Sequence, residues 1–144
     1  MLNKSRYLLT PLLFIWEMPQ TVIGLLLHVI LKYKKQVTGV EKESHLRFIE
    51  TPKLGVSLGW FIFWAPSGNR FPHYTNDCRM HEYGHSKQSV MLGPLYLLLV
   101  GIPSVSRVIY SRWYFKKYGL RWKNYFAGFP ENWADKLGGV IADK

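Results

Sequence analysis

Cysteine is nearly absent: Cys78 is the only one in 144 residues. That excludes an intrachain disulfide framework and a thiolate zinc site, and it leaves Cys78 to be read as a small buried side chain. Acidic residues are scarce too. Nine Asp and Glu stand against 19 Lys and Arg, giving a net charge of +10 and a pI near 9.8. Such a balance favours anionic partners. An anionic membrane surface fits it; no DNA- or RNA-binding motif occurs, so no specific nucleic acid is expected. A third lack is an unbroken apolar run. Leu8 to Leu31 has the length of a bilayer span and basic flanks, and no small-residue cleavage site follows it. But Pro11, Glu17, Pro19 and Gln20 interrupt it. A kinked span, an interfacial anchor and a packed N-terminal helix in a soluble chain all remain open, and membrane association through one of the first two is expected. Glu17 is read as a polar residue at the Met18-Pro19 break, facing water.

What is present is ample apolar material. Hydrophobic residues make up 48% and aromatics 16%, enough for one domain with a core. Residues 1–35 read as an apolar membrane-associated or packing segment, and 36–144 as the domain carrying the chemistry.

That chemistry centres on His81-Glu82-Tyr83-Gly84-His85, an H-E-x-x-H pattern. Histidines four apart lie one above the other on one helix face, where both imidazoles reach one Zn²⁺. Glu82 then leans toward the metal's open side, placed to take a proton from a water there. Catalytic zinc needs a third protein ligand. Further along stands Glu131-Asn132-Trp133-Ala134-Asp135. Glu131 supplies the third ligand, and Asp135, one turn on, accepts the free N–H of a ligating histidine.

The pair HEYGH and ENWAD resembles the gluzincin metallopeptidases, in motifs and their order rather than over the whole chain. The resemblance implies a minimal zinc peptidase of α+β fold with one Zn²⁺ per chain, cleaving a peptide or protein substrate. The elements expected are an N-terminal apolar helix, a small β-sheet or hairpin, the zinc-motif helix and a short C-terminal glutamate helix. Related patterns fail here. A metzincin would carry a third histidine where Met91 stands, and no Asp-Gly of the site-2 type occurs. A non-catalytic, zinc-stabilised membrane-associated protein is the alternative.

The remaining segments are placed around that helix. Lys32–Ser44 reads as a connection, Leu46–Ile49 as a short strand, and Leu54–Trp64 as a longer one, with Gly55 and Gly59 marking a bulge or a close backbone approach. Ser57, Leu58, Gly59 and Trp60 are expected to form the strand to which substrate adds. The motif helix should start near Asn76 or Asp77 and stop at Gly93-Pro94. Gly84 in its middle implies another segment passing close, and Tyr83 a core contact. Leu95–Ile109 is read as a buried irregular connection or, second, a membrane-dipping loop. Arg107–Phe126 interleaves basic and aromatic residues, read first as a helix with a solvated basic face. The last helix runs from Pro130 to Gly138-Gly139. His73, Tyr74, Tyr110 and Tyr125 are equal candidates for an oxyanion donor, and His28 and His45 are bystanders.

Overall fold

The computed structural model describes residues 4–66 and 78–140. The fold is α+β, with five α-helices and a four-stranded mixed sheet among the described residues. The N-terminal apolar stretch is two helices, α1 (Lys4–Trp16) and α2 (Met18–Tyr33). They are bent by 87° at Glu17, where Pro19 opens the second helix. No single described helix is long and apolar enough to cross a membrane; the bent pair meets that test only jointly.

The strands are β1 (Gly39–Glu43), β2 (Leu46–Glu50), β3 (Val56–Leu58) and β4 (Phe61–Trp64), in the order β1-β2-β4-β3. The expected connection Lys32–Ser44 is therefore corrected: it contains the end of α2 and all of β1. GVEKE carries no apolar alternation because β1 is an exposed edge strand. The single strand Leu54–Trp64 is corrected as well. It folds into the β3–β4 hairpin, turning at Gly59, whose φ is +59°. A positive φ at the first turn position is the type II′ pattern, open to glycine.

Two helices sandwich the sheet, which explains the near-continuous apolar run of β4. The register sets Ile49 beside Phe63, and Phe63 opposite Val56. This face packs on Leu27 and Leu31 of α2 in the main core. Phe48, Ile62 and Ser57 occupy the alternate face, toward the motif helix α3 (Cys78–Leu92), where Tyr83 lies against Phe48.

After α3 the chain does not become the buried irregular connection expected. A 3₁₀ turn (Gly93–Leu95) and a π turn (Leu97–Gly101) lead into α4 (Ile102–Tyr118), which has no buried residue. Leu95, Leu98, Leu99, Ile102, Val105 and Ile109 are exposed. The solvated basic face expected next is only part of α4's surface, and Arg107 is not on it. Its guanidinium donates to the carbonyls of Asn124 and Tyr125, tying the following turn to the helix. The chain closes with α5 (Glu131–Gly138), capped by left-handed Gly139.

Glu17 also departs from expectation. It sits at the helix break but is 1% exposed and accepts a 2.5 Å hydrogen bond from Ser89 of α3. Around it, Trp16 Nε1 donates to the Val90 carbonyl and Gln20 Nε2 to the Gly93 carbonyl, 2.9 and 3.0 Å away. The Val90 carbonyl lies in the last turn of α3, where helix carbonyls lack an intrahelical partner; the Gly93 carbonyl, just past the helix, also accepts from the Tyr96 N–H. The elbow of α1 and α2 is thus the cap of the motif helix. A water-facing Glu17 was the reasonable expectation only while Ser89 was an anonymous polar residue.

Candidate metal centre

The centre lies where α3 and α5 cross, and the crossing is very close. A Cβ on Gly84 would fall within 1.9 Å of the Ala134 carbonyl oxygen, and one on Gly138 within 2.1 Å of the Met80 oxygen. The two glycines therefore let backbone touch backbone, as the cost of Gly84 in mid-helix implied. Only at that separation does Glu131, in the first turn of α5, reach both motif histidines.

His81, His85 and Glu131 are all buried, and one ligand atom from each lies within 4.8 Å of the others. Glu131 Oε2 is 2.9 Å from His81 Nε2 and 3.3 Å from His85 Nε2. Ser104 of α4 donates to the other carboxylate oxygen at 2.6 Å, which turns Oε2 toward the histidines. The three residues form a buried cluster able to hold a metal ion.

The outer contacts fix which ring nitrogens face inward. His81 Nδ1 is 2.6 Å from Asp135 Oδ1, the role expected of Asp135. An ionised carboxylate only accepts, so Nδ1 carries the proton. His85 Nδ1 is 2.7 Å from Gln88 Oε1, while Gln88 Nε2 donates to the Pro130 carbonyl at 3.1 Å. That carbonyl can accept only, so it orients the Gln88 amide, and the amide in turn assigns the proton of His85 to Nδ1. Both Nε2 atoms thus face Glu131 at the centre, the orientation that metal ligation requires. Gln88 and Ser104 were invisible to the motif reading. Gln88 follows His85 by three, one helical step, but nothing in the sequence announces Ser104.

The electrostatics suit a cation at this cluster. Burial alone would depress the His81 imidazole, but Asp135 and Glu131 on its two nitrogens push it up to about 10. Burial would raise Glu131, yet the two histidines hold it well below the carboxylate range. A cation between them replaces the shared proton.

Glu82 is different in kind. It is buried, and burial raises its carboxyl above the usual range against the pull of His85 and His81. Its Oε2 has no hydrogen-bond partner. Glu82 lines a cavity of about 620 Å³ that also takes in His81, His85 and Glu131. Gly55 closes over it: a Cβ there would stand 2.8 Å from Glu82 Oε1. Cys78 lines the same cavity, half-buried rather than buried, its thiol pushed up to about 11 by burial and by Glu82.

Of the expected substrate strand, Ser57 and Leu58 line the cavity, whereas Gly59 and Trp60 form the hairpin turn against Thr21 of α2. Successive β3 residues Val56, Ser57 and Leu58 all line it, so the cavity runs along the free edge of the strand rather than over one face. The Ser57 carbonyl accepts from Tyr96 Oη at 2.9 Å.

Among the oxyanion candidates, Tyr125 borders the cavity, and Tyr110 packs instead on Trp113, Tyr114 and Trp122. His73 and Tyr74 lie outside the described residues, as do Asn76 and Asp77. Tyr96 also borders the cavity and had not been singled out. Burial holds both Tyr96 and Tyr125 far above the usual phenol range, so each keeps its proton. His28 and His45 pack on Phe61 and Trp60, away from the centre.

No family model, no curated protein and no solved structure matches the chain.

Proposed function

We propose that the protein is a zinc-dependent peptidase of gluzincin type, working at an anionic membrane surface. The observation that carries the catalytic reading is the pairing of two environments: a ligand set with both Nε2 atoms turned inward, and beside it a buried carboxyl with one unpartnered oxygen facing the same cavity. A purely structural metal site has no use for the second.

His81, His85 and Glu131 hold the ion, and zinc suits a set of two imidazoles and a carboxylate. When bound, zinc supplies Lewis-acid polarisation of a water and of the scissile carbonyl. Glu82 takes one proton as the water oxygen bonds to the carbonyl carbon, and returns it to the departing amine nitrogen as the C–N bond breaks. A carboxyl raised by burial is suited to both halves of that exchange. Tyr125, a neutral phenol at the cavity wall, offers a donor to the developing oxyanion, whereas the Tyr96 hydroxyl is engaged by the Ser57 carbonyl. The membrane part rests on the exposed apolar residues of α1, α2, the π turn and α4, among them Leu12, Ile15, Leu26, Val29, Leu98 and Ile109, together with the net charge of +10.

Glu82→Gln is the test. Its turnover of a peptide library should fall by about 10²–10⁴-fold, the usual worth of a positioned acid–base group, with zinc content unchanged. A protein in which the metal only staples α5 to α3 would lose nothing.

A further inference from the structure

We propose that the substrate is an apolar polypeptide segment that enters the cavity alongside α4. This deepens the peptidase reading and rests on it. Three observations define the occupant.

First, the walls are aliphatic. Leu54, Val56 and Leu58 border it on the β3 side, where they also pack on the main core, and Ile102, Val105 and Val108 border it on the α4 side. At about 620 Å³ the space suits several side chains rather than one.

Second, the α4 wall is open. Ile102 and Val105 line the cavity, yet each is 58% exposed. They begin a stripe, Ile102, Val105, Ile109 and Trp113, stepping three or four residues at a time along one side of α4, all of it exposed. An apolar stripe running out of a cavity mouth is surface that water does not favour. An apolar chain lying in the cavity and along the stripe removes it from water at both ends.

Third, the opposite wall is a strand edge. β3 is the last strand of the sheet, and the cavity follows its outer side. A polypeptide has main-chain N–H and C=O groups to pair there, beside the Ser57 carbonyl that Tyr96 already engages; a lipid chain has none. Apart from the metal cluster and Glu82, the charged residues of the lining are Lys53 and Arg112. Both are basic, so an acidic residue flanking the apolar segment is favoured over a basic one.

The test separates binding from turnover. Zinc-loaded Glu82→Gln protein is titrated with two fluorescein-labelled, amidated peptides. Each has a six-residue core flanked by glutamates, one core of Leu and Val, the other of Ser and Asn. The apolar peptide should bind at least tenfold more tightly. Val105→Asp, and the milder Val105→Ser, should each reduce that preference by several-fold or more while zinc content is retained. Equal affinity for the two peptides overturns the proposal. So does a preference that survives both Val105 variants while their binding to anionic vesicles falls, because the stripe is then a lipid contact alone. Cleavage of the same peptides by the wild-type protein reports on the peptidase reading separately: tight apolar binding without cleavage keeps the occupant and removes the reaction.

Discussion

The motif helix and the helix that follows it reverse the usual relation between polarity and burial. In α3, His81, Glu82, His85, Ser86, Gln88 and Ser89 are buried. In α4, Ile102, Val105, Ile109, Trp113 and Phe115 are exposed, and no residue is buried. Hydrophobic burial alone would sort them the other way, and a buried polar group or a large exposed apolar patch is the informative exception. Each half of the inversion has a physical account. Most polar side chains of α3 are inside because they are paired: His81 with Asp135, His85 with Gln88, Ser89 with Glu17; Glu82, with one unpartnered oxygen, is the exception. Burying them unpaired would cost about 1–3 kcal/mol each. The apolar side chains of α4 are outside because their partners, membrane and substrate on the proposals above, are separate molecules.

The contrast can be broken by substitution, and the α3 side should break first. Gly84→Val drives a branched side chain into the Ala134 carbonyl, so the α3–α5 crossing must open. We expect a loss at or above about 3 kcal/mol, the upper range of overpacking, read by chemical denaturation. Asp135→Asn removes the charge that holds the Nδ1 proton of His81. Zinc affinity should fall by about 10–100-fold, measured by competition with a chelating dye, with the fold intact by circular dichroism. Glu17→Ala leaves the buried Ser89 hydroxyl without its acceptor. A stability loss of about 1–3 kcal/mol is expected, visible as an earlier melting transition. If Glu17 faced water instead, the change would be within about 0.5 kcal/mol. On α4 the sign of the contrast should appear as near-silence. Ile109→Ser should shift stability by no more than about 0.5 kcal/mol, yet weaken sedimentation with anionic vesicles.

How much of this was legible in the sequence follows the same division. The ligand geometry was, because spacings of four along a helix fix a face whatever the surroundings. His81, His85, Glu131 and Asp135 come together as the two motifs indicated. So did the close approach at Gly84, since a mid-helix glycine carries a cost that something must offset. Features decided by distant partners were not legible. GVEKE does not look like a strand until β2 is beside it, and Leu54–Trp64 hides its turn because Gly59 has apolar neighbours on both sides. Glu17 and Ser104 acquire their roles only from Ser89 and Glu131, 72 and 27 residues away. In Leu95–Ile109 only Tyr96 and Val100 are buried; the rest was misjudged because an apolar stretch reads as interior when no partner for its surface is in view.

The central claim is that the buried polar face of α3 exists to hold a metal. Elemental analysis of the purified wild-type protein beside His85→Ala and Glu131→Ala tests it most directly. The account predicts about one zinc per chain in the wild type and a marked loss in both variants. A wild-type protein that stays metal-free after zinc is supplied at neutral pH would contradict it.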